Sequence, residues 1–263
     1  MARIASKKLN RKIGGDVFIL VILILVGGFM LLPFIYAILQ SFKPMEEIFL
    51  FPPRFFVNRP TTENFYQLTQ LVANSWVPFT RYIFNSLLVS IIATAAHVII
   101  ASMAAYPLAK ATFPGSRTFF QVVVLSLLFT TEVTALPLYL VMSTLHMIDT
   151  YFALILPAIG SSLGLFLMKQ FISVLPDSMI EAVKDGAGTF RTYWSIVMPN
   201  VKPAWMTCII FAFQSIWNYE GTQFIYDESL KVLPTMFRQI SEGGISRVGV
   251  GAAAAVLLMI PPI

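Results

Sequence analysis

The chain has 263 residues, of which 57% are hydrophobic and 12% are charged, and its formal net charge is +5. A soluble domain carries about twice that charged fraction, and the charges here are clustered so that long stretches have none. These features exclude a soluble multidomain protein and predict an all-α, polytopic membrane protein.

The N-terminus is strongly basic, because five of the 18 Lys and Arg residues precede residue 13. The uncharged run that follows, Val17 to Phe42, is longer than the roughly 7–15 residues of a signal-peptide core. We therefore expect residues 1–16 to lie at an anionic cytoplasmic membrane surface and 17–41 to form the first transmembrane helix. No basic folded face is visible, so a nucleic-acid partner is not expected.

Four further apolar segments are long enough to cross a bilayer of about 30 Å, which takes roughly 20 helical residues. A sixth segment begins near Val248 and runs to Ile263 with no polar exit, so we expect the last helix to be truncated. Eleven Lys and Arg fall on one side of these spans and seven on the other, which predicts six spans with a cytoplasmic N-terminus. The remaining four predicted spans are 82–109, 119–142, 150–168 and 203–219.

Two connecting segments are too long for simple turns. The first, 43–81, contains five prolines, and Thr61 to Asn64 predict a brief helix that runs to about Ala73. The second, 169–202, follows the fourth span and is the more informative of the two.

Within this second segment, residues 176–199 predict a short helix and then a second helical run. Ser178 and Glu181 have capping-box spacing, and Gly186 is suited to the left-handed residue that ends a helix. A helix of about two turns is marginal alone and must pack against something. Two interpretations remain open: an elbow that rests on the membrane surface, and a docking helix that fits a groove in a cytosolic partner.

The same loop resembles the cytoplasmic loop of permease subunits of bacterial ABC importers, which reads E-A-A, three residues, G, nine residues, I-x-L-P. In this chain the corresponding residues are Glu181-Ala182-Val183, Asp185-Gly186-Ala187 and Ile196-x-Met198-Pro199. One departure is that Glu181 stands five residues before Gly186, where the family has six. The resemblance implies that the residues that couple the permease to an ATPase are Glu181, Ala182, Asp185, Gly186, Ala187, Ile196 and Pro199.

Other fragments in register resemble the carbohydrate branch of that family, whose best-known member is the maltose importer. They are Asn85-Ser86, Ala105 to Lys110, Phe113-Pro114-Gly115, Glu132-Val133-Thr134, Pro137-Leu138-Tyr139, Phe166 to Phe171, Trp217-Asn218 and Leu233-Pro234.

The resemblance implies one permease domain over 17–263, with the type I fold of six transmembrane helices and a cytoplasmic coupling helix, in a bacterial inner membrane. The implied partners are a second homologous permease subunit, two copies of a cytosolic ATPase and an extracytoplasmic solute-binding protein. The chain has no G-x-x-x-x-G-K-[S/T] phosphate loop. We therefore expect no enzyme activity and no cofactor on this chain, with ATP and Mg bound by the ATPase subunits.

Four residues are candidates for the substrate pathway. Glu132 is the acidic residue inside a predicted span, and it either borders the pathway or makes a structural hydrogen bond. Pro137 is expected to bend or break that helix. Trp217 and Asn218 either contact a sugar or anchor the helix at the interface, and Asn85 either contacts substrate or joins two helices.

Three other functions are alternatives for this chain: a permease for another solute, a secondary transporter and an intramembrane enzyme. Permeases of this branch also carry polyols, uronates and glycerol phosphate esters. A secondary transporter would be expected to show paired intramembrane charges or repeated broken helices. An intramembrane enzyme would need a metal-ligand cluster, a Ser/His arrangement or paired acids, and none of these patterns is visible in the predicted spans.

Overall fold

The computed structural model describes residues 13–179 and 188–262, and these residues are helical with no strand. Its longer helices are α1 (Ile13–Ser41), α2 (Glu63–Ala73), α3 (Phe79–Lys110), α4 (Ser116–Ser126), α5 (Thr131–Thr144), α6 (Tyr151–Ile159), α7 (Ser162–Val174), α8 (Lys202–Trp217), α9 (Leu233–Ser241) and α10 (Val248–Met259). Shorter elements are the helical turn Met45–Ile48 and two 3₁₀ turns, Glu228–Leu230 and Ile245–Arg247. An elbow of residues 189–200 precedes α8 and contains a π-helical turn, Tyr193–Val197.

The described chain divides into two units, which are treated separately. One is Met1–Leu68 with Gly243–Leu257, and the other is Thr69–Glu242 with Leu258–Ile263.

In the first unit, α1 is long and apolar enough to cross a membrane, and it begins four residues before the predicted span. The segment after it is held by Asn64, whose Nδ2 donates to the carbonyl oxygens of Ser41 and Lys43, both at 2.8 Å. The predicted helix at 61–73 is confirmed as α2, and the Thr61 hydroxyl accepts a bond from the Glu63 N–H at 3.1 Å.

Two further helical segments of the described chain are long and apolar enough to cross a membrane, α3 and the α6–α7 pair. The α4–α5 pair and the elbow with α8 would each form one more span if a bent pair is counted as one. The apolar helix α10 is shorter, with 12 residues. The predicted positions of the spans are therefore found, although two of them are bent.

The third predicted span differs most, because residues 119–142 do not form a single helix. α4 and α5 meet at an angle of 112°, and the break lies before Thr131. The Ser126 hydroxyl donates to the Val123 carbonyl oxygen and accepts from the Ser162 hydroxyl at 2.5 Å, and the last turn of α4 tightens to i→i+3 bonds. The hydrogen bond from the Ser126 side chain to the backbone of its own helix competes with the helical bonding and ends α4. The break therefore does not lie at Pro137, which was expected to bend or break the helix and lies inside α5.

The second unit is organised around α3, which buries one polar and small-residue face. Small side chains at an interface let helices approach closely, and polar groups join them by hydrogen bonds. The polar residues buried on this helix are Asn85, Ser86, Ser90, Thr94, His97 and Ser102. The small apolar ones are Ala93, Ala101 and Ala105.

Candidate functional site

The end of α3 is bonded to the beginning of the predicted coupling loop. Nζ of Lys110, the last residue of α3, donates to the Leu175 carbonyl oxygen at 2.5 Å and to the Asp177 carboxylate at 2.8 Å. The Lys110 side chain is 9% exposed, whereas Asp177 is 76% exposed. The charged end of an otherwise apolar helix is thus buried against the first residues of the loop.

The elbow, at the end of the same loop, also packs on α3. The Tyr193 hydroxyl lies 2.6 Å from the Ser102 hydroxyl, and the Tyr193 ring lies 5.7 Å from that of Tyr106. Tyr193 and Val197 are both buried in the cluster that includes Val98 of α3. The loop is therefore attached to the last three turns of α3 at both of its ends.

The elbow turns the chain by 80° into α8. Pro199 has no N–H to donate to the preceding turn, and it lies two residues after the π-helical turn ends at Val197. Val201 leaves the helical conformation at φ −99° and ψ 23°, and α8 starts with a proline near its first position. The Trp205 indole N–H donates to the Met198 carbonyl oxygen at 3.2 Å, which ties α8 back to the elbow.

The opposite end of α3 holds the segment between α8 and α9. Asn85 is fully buried, and its Nδ2 donates to the carbonyl oxygens of Ser229 and Lys231, both at 2.9 Å. Its Oδ1 accepts from the Tyr151 hydroxyl at 2.7 Å. One turn earlier, the Tyr82 hydroxyl donates to the Glu228 carboxylate at 2.7 Å.

Asp149 fixes the same segment, between α8 and α9, from the α5–α6 connection. Its carboxylate accepts from the backbone N–H groups of Tyr226 at 2.5 Å and Asp227 at 2.9 Å. The Ser229 backbone N–H in turn donates to the Asp227 carboxylate and holds the pKa of that carboxyl below its ordinary value. The segment between α8 and α9 is thus anchored to α3 and to the α5–α6 connection.

Between these two ends lies a cavity of about 320 Å³, lined by residues from α3, α5, α6, α7 and α8 and from the turn after α8. This volume is at the lower end of the roughly 300–1,000 Å³ typical of small-molecule sites. Its polar lining includes Thr131, Thr134, Ser161, Ser215, Tyr219 and Gln223.

α3 lines this cavity through His97. Its Nδ1 lies 3.0 Å from the Ile159 carbonyl oxygen, and because a carbonyl only accepts, Nδ1 carries the hydrogen. Nε2 lies against Gly164, which also lines the cavity, and a Cβ on Gly164 would stand 2.1 Å from that nitrogen. A Cβ at position 164 therefore fits this crossing of α3 and α7 only if the imidazole moves.

The four predicted pathway residues are not brought together. Glu132 is exposed in the first turn of α5. Its neighbours Thr131 and Thr134 line the cavity, whereas Glu132 does not. Asn85 uses both amide hydrogens and its carbonyl oxygen for bonds within the protein.

Trp217 and Asn218 are adjacent in sequence but have different surroundings. Trp217 is buried, and its indole N–H donates to the Leu258 carbonyl oxygen at 3.1 Å. Asn218 is exposed and donates to the Gln214 carbonyl of its own helix at 2.8 Å. Neither residue lines the cavity.

Of the predicted coupling residues, Glu181, Ala182, Asp185, Gly186 and Ala187 lie outside the described residues. Ile196 is half-buried in the elbow, and its carbonyl oxygen accepts from the Asn200 side chain at 2.7 Å. Pro199 is exposed.

The sequence did not single out Lys110 or the polar lining of the cavity. A lone lysine that ends a long apolar helix was the available signal for Lys110. For the cavity, the signal was a series of small and polar residues spaced three or four apart along α8 and into the turn that follows it. Its members are Cys208, Ala212, Ser215 and Tyr219.

Comparison with known proteins decides the family. The family described as binding-protein-dependent transport system inner membrane component matches residues 97–263. The chain belongs to this family. It is therefore a membrane permease of an ABC importer, as the loop and the span fragments indicated.

Curated relatives agree with this permease assignment. The sn-glycerol-3-phosphate transport system permease protein UgpE of Yersinia enterocolitica is 29% identical over 97% of this chain and 92% of its own length. The polygalacturonan/rhamnogalacturonan transport system permease protein YtcP of Bacillus subtilis is 31% identical over 87% of this chain and 83% of its own.

The fold of the permease also matches a solved one. A chain of a bacterial ABC transporter involved in the import of the acidic polysaccharide alginate superposes with a TM-score of 0.74. The match covers 96% of this chain and 95% of that one at 19% identity, so it speaks for the fold alone. The predicted type I importer fold is confirmed.

Proposed function

We propose that this permease forms half of the translocation pathway of an ATP-driven, binding-protein-dependent importer for a sugar or oligosaccharide. The observation that carries the proposal is the attachment of both ends of the 176–199 loop to α3. The same helix lines the cavity through His97 and holds the segment between α8 and α9 through Asn85. One continuous helix thus connects the loop, the cavity and the outer surface.

The length of α3 supports a mechanical role. Its 32 residues span about 48 Å at 1.5 Å per residue. When the ATPase subunits close on ATP, the docked loop moves with them, and Lys110 and Tyr193 transmit that movement to α3. Displacement of a packed helix changes which side of the membrane a cavity faces, as in other rigid-body switches.

The partners follow from the family and from the charge pattern. The coupling residues Gly186, Ile196 and Pro199 contact a cytosolic ATPase, which supplies ATP and Mg²⁺ chemistry. A second permease subunit completes the pathway, and an external solute-binding protein delivers the substrate. Lys110, Lys202 and the basic N-terminal segment are then on the cytoplasmic side, in agreement with the positive-inside rule.

The substrate class is supported by the resemblance to carbohydrate permeases and by the relatives' names. One relative is named for polygalacturonan and rhamnogalacturonan, and another for sn-glycerol 3-phosphate. The second name favours a glycerol phosphate ester as the alternative solute for this permease.

Reconstitution tests the proposal. The chain is co-purified with its partner permease and ATPase, placed in proteoliposomes with the binding protein, and supplied with radiolabelled saccharides or sn-glycerol 3-phosphate. We expect saccharide uptake that needs both ATP and the binding protein. An ATPase subunit with its phosphate-loop lysine replaced is the control. Uptake driven by an ion gradient without ATP would contradict the proposal.

A further inference from the structure

The cavity between α3, α5, the α6–α7 pair and α8 has the volume of a small-molecule site. We infer that it is a binding subsite for one uncharged sugar residue of the transported substrate. This inference rests on the proposed function, and it identifies a subsite within this subunit.

The charge of the cavity wall favours a neutral ligand. None of its described lining residues is Lys, Arg, Asp or Glu. A carboxylate or phosphate that leaves water needs a compensating charge. The nearest charged neighbour of the lining along α5 is Glu132, which directly follows Thr131 and would repel an anion.

The polar groups of the wall match the hydroxyls of a sugar. The Ser161 and Ser215 hydroxyls have no hydrogen-bond partner among the described residues, although both line the cavity. The Gln223 Nε2 donates to the Tyr219 hydroxyl at 2.9 Å, which leaves the tyrosine O–H and the glutamine carbonyl for a ligand. A sugar hydroxyl both donates and accepts, so it can satisfy each of these groups.

The remaining wall suits the C–H faces of a sugar ring. Leu138, Leu154, Pro157 and Phe211 line it together with the Tyr219 ring. A mostly apolar wall with a few placed polar groups is the usual design of a small-molecule site.

The position of Ser215 allows the site to be probed directly. The chain has a single cysteine, Cys208, so a Cys208→Ala background removes its own thiol. Ser215→Cys then places one thiol in the cavity, and Gln214→Cys places a matched thiol on the neighbouring, exposed position of α8, which does not line the cavity.

The experiment uses the complete reconstituted transporter with its binding protein. The rate at which N-ethylmaleimide modifies each introduced cysteine of this chain is measured by mass spectrometry. The probes are neutral maltotriose, acidic trigalacturonate and sn-glycerol 3-phosphate, in parallel with a wider panel of neutral trisaccharides. Uptake of each probe is measured in the same preparation for the wild type and for Gln223→Leu.

We expect at least one neutral saccharide to be imported, to slow modification of Ser215→Cys and to leave Gln214→Cys unaffected. Gln223→Leu should raise the KM for that saccharide by about fivefold, as expected for one lost hydrogen bond, while kcat changes little.

Two results would overturn the subsite and leave the proposed importer intact. One is import of a neutral saccharide with no protection of Ser215→Cys and no change of KM in Gln223→Leu. The other is import and protection by the acidic or phosphorylated probe alone. If the wild type imports no saccharide at all, the proposed function fails and the subsite fails with it.

Discussion

Lys110 and Asp177 form an ion pair of 2.8 Å that joins the last residue of α3 to the first turn of the coupling loop. The lysine also donates to the Leu175 carbonyl, so two bonds from one buried ammonium group fix the start of the loop. This contact attaches the start of the loop to the helix that borders the cavity.

The two partners of this pair should contribute very differently. Lys110→Met keeps the packing of the side chain but leaves the Leu175 carbonyl without its donor, which removes charged hydrogen bonds worth about 1.5–3 kcal/mol. Asp177→Asn alters an exposed pair worth about 0–1 kcal/mol and leaves the Leu175 bond intact. We expect uptake by the reconstituted transporter to fall about tenfold in Lys110→Met, corresponding to about 1.4 kcal/mol, and less than twofold in Asp177→Asn. Equal losses in the two variants would contradict the role assigned to Lys110.

The elbow should depend more on the ring of Tyr193 than on its hydroxyl. Tyr193→Phe removes the bond to Ser102, worth about 1 kcal/mol, whereas Tyr193→Ala also leaves a cavity, and such changes cost about 3–5 kcal/mol. Thermal unfolding of the purified permease complex should therefore show a small loss for Tyr193→Phe and a large one for Tyr193→Ala. Ser102→Ala is the matched control, and it should resemble Tyr193→Phe.

Asn85 should prove to be a structural residue. Asn85→Leu removes the donor to the carbonyl oxygens of Ser229 and Lys231 and the acceptor of the Tyr151 hydroxyl. The Ser229 carbonyl still accepts from the Arg81 Nε–H at 3.2 Å, so two groups lose their partner, at about 1–3 kcal/mol for each. We expect this variant to accumulate poorly in the membrane, as measured by immunoblot of isolated membranes. Tyr151→Phe loses one bond and should accumulate nearly as the wild type does. Normal accumulation of Asn85→Leu with selective loss of substrate affinity would instead support a pathway role.

The crossing of α3 and α7 should show coupling between Gly164 and His97. A methyl group on Gly164 meets the imidazole, and overpacking of this kind costs about 1–3 kcal/mol. His97→Ala opens the space that the methyl group needs, so Gly164→Ala should cost less in that background. A double-mutant cycle of unfolding free energies measures the interaction. Additive effects would show that the two residues do not meet.

The sequence located the spans well because the length of an apolar run and the charges at its ends reflect the thickness of the bilayer. It could not locate the break between α4 and α5, which has no glycine or proline. That break depends on Ser126, whose hydroxyl bonds both to its own helix and to Ser162, 36 residues away.

The candidate site was predicted only in part, for a similar reason. The loop 176–199 could be identified because its motif is local. The partners of Lys110 lie 65 and 67 residues away, and only the fold brings them together. Glu132 and Trp217 were chosen because charged and aromatic residues are conspicuous in a span, whereas the cavity is lined by less conspicuous hydroxyls such as Ser215.

The 176–199 loop is proposed to couple ATP hydrolysis to movement of this permease. The most direct test is to measure, in one preparation of proteoliposomes, the ATP hydrolysed per substrate molecule imported for the wild type and for Gly186→Leu. A bulky residue at Gly188, where a Cβ would meet no heavy atom within 4 Å, is the matched control. We predict that Gly186→Leu loses uptake and its stimulation of the ATPase by loaded binding protein, while Gly188→Leu retains both. Uptake and stimulated hydrolysis at wild-type levels in Gly186→Leu would contradict the coupling role of the loop.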